Sequence, residues 1–260
     1  MNLDTVTAFA TAPGTGAAMG PVSGDALTIR NGAPNTEPLA LAIWTKAQAV
    51  GTTQLVWPSG HDMVRGFRYR TLANTPNSAL ASGVPARFRA QDPVTITQVG
   101  SAVAGDIEYC SMLMFYPDLP GVDAHMINLA TLTKRMRNIV TIEDTTTATA
   151  TGYSGPRALN AASDLLKANT EYAVLGAEIG AVCQALTIRG VDFGGLRASI
   201  PGNTDSRWSA NWFVYLSETF GIPCIPVLNS ANRAGTFIEN VQDENNTAVP
   251  FSLVLAELAP

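Results

Sequence analysis

Two histidines, His61 and His125, are the side chains of this 260-residue sequence best suited to moving a proton near neutral pH. His61 stands in Pro58-Ser59-Gly60-His61-Asp62, where a carboxylate follows the imidazole directly. Such a pair serves hydrolysis only beside an activated nucleophile, and the turn-like segment reads first as a polar surface loop. His125 has no second histidine at HExxH spacing. Gly152-Tyr153-Ser154-Gly155 approaches a nucleophile elbow, but the closing glycine comes one residue early, so it reads as a turn leading into a helix. Gly190-Val191-Asp192-Phe193-Gly194-Gly195 lacks the GxGxxG order of a dinucleotide loop and reads as a turn between strands. Asp243-Glu244-Asn245-Asn246 lacks the ligand spacing of a calcium loop and reads as a solvated hairpin turn. Carboxylate pairs of the glycosidase kind meet only in the fold and leave no trace at this level.

Three cysteines, Cys110, Cys183 and Cys224, are far apart and each lies in an apolar run. They read as buried free thiols in a reducing compartment, and none has metal-ligand spacing. The expectation is therefore no catalytic residue, no cofactor and no metal: a protein that is not an enzyme and works by contact with other proteins.

Composition agrees. Only 14% of residues are charged, the net charge is −5 and mean hydropathy is +0.12. A chain this poor in charge either buries much of its surface or leaves a neutral one, as a subunit covered by neighbours does. Nothing in the acidic balance suggests a general nucleic-acid binder. The lysines are only Lys46, Lys134 and Lys167, the remaining basic residues being arginine, the cation favoured at interfaces. No signal peptide opens the chain and no apolar run reaches the length of a membrane span, so synthesis in the cytoplasm is expected.

The elements that must position these residues are mostly short strands. Residues 1–25 are rich in Ala, Thr and Gly without a period and read as a mobile N-terminal arm. From 26 to 120, β-prone runs at 26–30, 39–44, 54–57, 66–71, 86–90, 94–99 and 107–116 alternate with Gly, Pro and Asn. Met112-Leu113-Met114-Phe115-Tyr116 is apolar on both faces, the mark of a central strand covered on two sides. Residues 121–169 read as a helical connector. Asp123 caps a helix to about Asn138, with Lys134, Arg135 and Arg137 at its C-terminal end; a Thr-rich link follows, and a second helix runs from Pro156 to about Asn169. That basic helix end complements the dipole and is also a candidate for weak nucleic-acid contact. Residues 170–260 return to strands at 171–179, 185–189, 195–200, 224–228, 236–241 and 251–257. One amphipathic helix interrupts them: Asp205 caps it, Trp208, Trp212, Tyr215, Leu216 and Phe220 form its apolar stripe, and Gly221 ends it.

Three correspondences link the two β-rich halves. Ala26-Leu27-Thr28-Ile29-Arg30 recurs as Ala185-Leu186-Thr187-Ile188-Arg189; the spacing Pro58 to Asp62 recurs as Pro201 to Asp205; and strand, polar turn, long apolar strand recurs at 94–120 and 236–260. Arm, low charge, short strands and duplication together resemble the coat proteins of bacterial viruses, in particular the small double jelly-roll type. The resemblance is architectural and carries no specific motif. It implies a mainly β fold of tandem β-sandwich or jelly-roll-like halves, homo-oligomers of trimer size or larger, contacts with other virion proteins, and a final place in the virion. The role is then that of a capsid subunit or a capsid-reinforcing protein. Two other readings stand beside it. A carbohydrate-binding β-sandwich would present Trp44, Trp57 or Trp208 to solvent, and an enzyme with a dispersed site would use His61 and Asp62.

Overall fold

The computed structural model describes residues 1–11, 17–22, 26–32, 36–60, 63–73, 76–78, 86–159, 166–202 and 209–260. Its first half contains β1 (Asn2–Thr11), β2 (Ala17–Ala18), β3 (Gly20–Pro21), β4 (Leu39–Lys46), β5 (Gly51–Val56), β6 (Phe67–Thr71), β7 (Asn77–Ser78), β8 (Ala86–Arg87), β9 (Thr95–Val99) and β10 (Ile107–Tyr116). A short link with β11 (Met126–Ile127) and α1 (Leu129–Arg135) leads to the second half. There β12 (Met136–Thr147), β13 (Arg157–Ala158), β14 (Glu171–Ile179), β15 (Ala185–Gly190) and β16 (Arg197–Pro201) precede α2 (Trp212–Phe220), and β17 (Ile225–Asn229), β18 (Thr236–Val241) and β19 (Ala248–Leu258) follow it.

Among the described residues four sheets result, and all their ladders are antiparallel. The outer first sheet is β2-β9-β5-β6 and the inner first sheet β3-β1-β10-β4, with β7 and β8 both on β4. The inner second sheet is β13-β18-β15-β16 and the outer second sheet β11-β17-β14-β19-β12. Leaving aside the two-residue accessories β3, β7 and β11, each half has eight strands in the same order. The first pairs with the eighth, the eighth with the third and the third with the sixth; the facing sheet runs second, seventh, fourth, fifth. That is the jelly-roll order, and this chain carries it twice. The irregularities repeat too. The β10–β4 ladder passes over Leu41, and the β19–β14 ladder passes over Leu175, one bulge at each eighth-to-third pairing.

Within the first half, Cys110, Met112, Met114 and Tyr116 of β10 turn toward Leu55 and Ile96 of the outer first sheet. The alternate residues Leu113 and Phe115 join the larger core, which holds Leu186 and Ile188 of β15 and Leu253 and Leu255 of β19. The strand read as covered on both faces is so, because the second half lies on its far side. Helix α2 packs on β14 and β17. Gly176 permits this, since a Cβ there would meet the Ser209 carbonyl oxygen at 2.1 Å. Gly221 at φ +66 ends the helix in the left-handed conformation expected of a C-terminal glycine.

The mainly β fold with few helices stands, but several boundaries move. Residues 2–11 are no mobile arm: β1 pairs along its whole length with β10, and all but Phe9 and Thr11 of its residues are buried. Its short Ala and Thr side chains carry little hydrophobic contrast, yet both faces of β1 are covered. The helix expected from Asp123 begins at Leu129 instead, capped by Asn128, whose Oδ1 accepts the Thr131 N–H. Pairing of Met126 and Ile127 with β17 holds the preceding chain extended. It ends at Arg135, and the expected Thr-rich link is β12, the first strand of the second half. The expected helix from Pro156 gives way at its start to β13, and residues 160–165 lie outside the described residues, as do Asp205 and Trp208. Of the three correspondences between halves, only the last matches topology, β9 and β10 being the counterparts of β18 and β19. The counterpart of β15 is β5, whereas residues 26–30 form a single bridge, Thr28 to Pro93. Pro58 follows β5 but Pro201 ends β16, so the second match is out of step by one strand.

Candidate functional site: the seam between halves and the outer faces

The inner first sheet meets the inner second sheet along a seam that is polar as well as apolar. Trp44 of β4 is buried; its indole N–H donates to the Gln184 carbonyl at 2.7 Å, and the Gln184 amide donates back to the Trp44 carbonyl at 3.2 Å. The same amide donates to Ser111 Oγ of β10 at 2.8 Å, and Ser111 shares a hydrogen bond of 3.0 Å with Thr7 of β1. Trp44 also stands edge-on to Trp212 of α2, their ring centroids 6.2 Å apart. At one end of the seam Lys46 pairs with Asp243 at 2.5 Å, both side chains nearly inaccessible, and Gln48 donates to the same carboxylate. Burying two charges is favourable only when paired and hydrogen-bonded, and the amide oxygen of Gln242 completes the Lys46 shell at 3.3 Å. Asp243 is therefore not part of a solvated turn. At the other end Asp4 of β1 accepts from the Arg30 guanidinium at 2.6 Å and from the Arg197 backbone N–H at 3.3 Å. These contacts join the halves into one body.

The outer faces are different. On the outer second sheet Glu143 of β12 and Glu178 of β14 both stand opposite Ser252 of β19, forming one row across three strands. Strand spacing places the two glutamate backbones about 10 Å apart. Both carboxylates are exposed, and with Thr145, Pro250 and Phe251 they line an open groove of about 570 Å³. Asp144, also at this groove, is answered by Arg157 at 2.6 Å. On the outer first sheet the exposed residues of edge strand β6 are Arg68 and Arg70, with exposed Arg65 in the turn before them. A negative face thus stands at one end of the molecule and a positive edge at the other. Exposed charges arranged this way are suited to meeting opposite charge on a partner.

The residues singled out in the sequence fall as follows. His61 and Asp62 lie outside the described residues. His125 is half-exposed, 3.4 Å from Glu171, which also pairs with Arg135 at 2.7 Å. Lys134 and Arg137 are exposed at the end of α1, while Arg135 is tied to Glu171 and to the Ala259 carbonyl. Arg135, Arg137 and Lys167 line one groove, but Lys167 is answered by Glu257 at 2.7 Å. The Ser154 hydroxyl accepts the Asn240 N–H in a buried ladder position, so this segment extends a sheet and leads into β13. Residues 190–195 form the turn between β15 and β16, with Gly194 and Gly195 both at positive φ. Burial pushes the thiols of Cys110, Cys183 and Cys224 up to about 12, which keeps each protonated at neutral pH. Among the described residues no three His, Cys, Asp or Glu side chains are placed to hold a metal ion. Trp44 and Trp212 are buried and Trp57 packs on Phe88 at 4.5 Å, so these tryptophans form no exposed row for sugar stacking. No helix among the described residues is long and apolar enough to cross a membrane.

Sequence reasoning missed the seam and the acidic row. Lys46 and Gln184 sit in strongly apolar surroundings, which is a visible anomaly. Ser252 between Phe251 and Leu253 marks an outward position on an otherwise apolar strand.

Comparison with known proteins gives little. No family model matches the chain, and no curated protein matches it. Among solved structures, the crystal structure of the PBSX exported protein XepA is similar at 9% identity, with a TM-score of 0.29, over 99% of this chain and 86% of that one. A likeness at that level carries no functional argument.

Proposed function

We propose that the protein is a virion structural subunit, a capsid protein or capsid-reinforcing protein, that works by assembling with copies of itself and with other virion proteins. The observation behind this reading is the jelly-roll order carried twice along one chain, the two rolls fused through a buried seam. Jelly rolls also occur in lectins and cupins, so the fold alone does not assign the role. The surface adds support. It is poor in charge and Thr-rich, it carries Glu143 and Glu178 on one outer sheet and Arg68 and Arg70 on the other, and Trp44, one of the tryptophans a lectin would expose, is folded into the core. Three buried, free cysteines suit a chain made in a reducing cytoplasm before it enters a particle.

Sedimentation velocity of the purified chain tests the reading. Trimers or larger particles are expected, growing with concentration. A monomer that persists at high concentration overturns self-assembly as its role.

A further inference from the structure

Lys46 faces two groups across the seam, and only one of them is an ion. Asp243 Oδ1 lies 2.5 Å from Lys46 Nζ, and Nζ also donates to the Gln242 carboxamide oxygen at 3.3 Å. The Lys46 and Asp243 side chains are 7% and 6% exposed, and Gln242 is buried with them. An amine, a carboxamide and a carboxylate enclosed together are the parts of an acyl transfer: nucleophile, electrophile and proton carrier. We propose that the Lys46 amine attacks the Gln242 carboxamide and joins the two rolls by an amide bond, with Asp243 carrying the protons. The paired ions are the state that precedes this bond. The reaction needs only the folded chain, whether or not copies assemble.

Each group is held for its part. Lys46 is the last residue of β4 and Gln242 directly follows β18, so the site bridges the two inner sheets. An amine attacks only in its neutral form, and the Asp243 carboxylate is placed to take the proton from Nζ. Gln48 donates to Asp243 Oδ2, which leaves Oδ1 for the lysine. The Gln242 carboxamide oxygen accepts the Asp243 backbone N–H at 3.2 Å, a donor that stabilises the oxyanion formed on attack. The carboxamide nitrogen donates to the Val182 carbonyl at 2.7 Å, and the Tyr109 hydroxyl donates to the Gln242 main-chain carbonyl at 2.8 Å, so the electrophile is fixed in orientation. A carboxylate anion resists attack by an amine, which favours Gln242 over Asp243 as the electrophile. Cys183, close enough to feel both Lys46 and Asp243, is pushed up to about 12 by burial and stays protonated, so it does not compete. Burial also keeps out water that would otherwise take the carboxamide. The step balances. The Nζ–Cδ bond forms and the Cδ–Nε2 bond breaks. Of the ammonium protons of Lys46, one stays on the new amide and two pass through Asp243 to Nε2, which departs as ammonium. Asp243 ends as the carboxylate it began as, and nothing is oxidised or reduced. The bond ties together residues 196 apart in sequence.

Intact mass of the full chain, measured after denaturation, tests this directly. Folded chain held at neutral pH should become lighter by one ammonia, and its urea midpoint should rise as the mass falls. The joined chain should also run faster in a denaturing gel, because a closed loop keeps the unfolded chain compact. Trypsin should leave residues 31–65 joined to residues 234–260, since an acylated Lys46 is no longer cut. Lys46→Arg keeps the positive charge without the nucleophile, and Asp243→Asn keeps the shape without the proton carrier; each should retain its full mass. Circular dichroism checks that both remain folded, and should either unfold, the wild-type mass and peptide map decide alone. A folded wild type that keeps its full mass overturns the proposal. So does an ammonia lost by ring closure at Asn31-Gly32, recognised by a Lys46 that trypsin still cuts. Loss of one water in place of ammonia would put the bond on Asp243 and overturn the roles given to Gln242 and Asp243.

Discussion

Strands β10 and β19 occupy the same place in the two rolls, yet their sequences follow different rules. In β10 every residue from Glu108 to Tyr116 is buried, whereas β19 alternates from Ala248 to Val254 between buried and partly or fully exposed positions. The fold is the same in both; what differs is whether a second body lies on the outer face. The second roll lies on β10, so Leu113 is fully buried there, whereas Val254, at the same place beside the bulge of β19, is partly exposed. Their partners differ in the same way. β1 is buried almost throughout, while β12 exposes most of its residues and buries only Ile142 and Thr146. Sequence pattern therefore reports the layer a strand sits in more directly than its place in the topology.

The largest way to test that contrast is to remove β1. The strand is the first of its roll and pairs along its whole length with the most buried strand of the molecule. Deleting residues 1–11 should abolish cooperative unfolding and expose apolar surface, seen as lost near-ultraviolet dichroism and increased dye binding. A deletion product that melts cooperatively near the wild-type temperature would make β1 an accessory.

Next in size is the ion pair that closes one end of the seam. Replacing Asp243 by alanine leaves the Lys46 ammonium buried beside Gln242 alone and should cost about 3–5 kcal/mol, read from the urea midpoint. The double variant Lys46→Met with Asp243→Leu should recover most of that loss, because two apolar groups there leave no charge uncompensated. Absence of recovery would show that the pair sets the angle between the rolls as well as satisfying its own charge.

A paired substitution then measures the difference between the two eighth strands. Leu113→Ala in β10 removes atoms from a closed core and should cost about 2–5 kcal/mol. Val254→Ala in β19 sits at a partly exposed position and should cost about 1 kcal/mol or less. If association covers the outer second sheet, the gap between the two costs should narrow at concentrations where the chain assembles.

The same contrast explains what was legible. Strands with strong patterns were placed almost to the residue, 171–179 and 236–241 among them. The doubly covered character of β10 was plain because Met112 to Tyr116 has no polar face. β1 and β12 were not read as strands. β1 is rich in small Ala and Thr with only Leu3, Val6 and Phe9 as larger apolar residues, and β12 is largely exposed and Thr-rich, so neither presents the apolar alternation that marks a strand. Losing both first strands also hid the true repeat. Among the strands that remain, the Ala-Leu-Thr-Ile-Arg identity pairs residues 26–30 with β15, whose structural counterpart is β5. The seam was illegible for another reason. Lys46 finds Asp243, and Trp44 finds Gln184, only after two rolls distant in sequence have packed together.

The smallest expected effect uses the thiols as reporters of the two regions. Cys110 belongs to the core of the first roll, Cys224 to that of the second, and Cys183 stands near the seam. Burial raises all three from about 9 to about 12 in the folded chain. Between those values the folded chain binds more protons than the unfolded one, so stability is complete below about pH 9 and falls as pH rises toward 12. One pH unit into that window should cost about 1.4 kcal/mol per thiol. The urea midpoint should therefore hold between pH 7 and about 8.5 and decline above about 9, and each Cys→Ala variant should decline less steeply than the wild type. Alkylation at fixed pH then assigns the openings. If the rolls open as one body, Cys110 and Cys224 react at the same rate, and both slow together when Asp243 and Lys46 are intact. A Cys224 that reacts ahead of Cys110 would show that the roll with the uncovered outer sheet opens alone. The seam would then transmit cover to β10 without transmitting stability to β19.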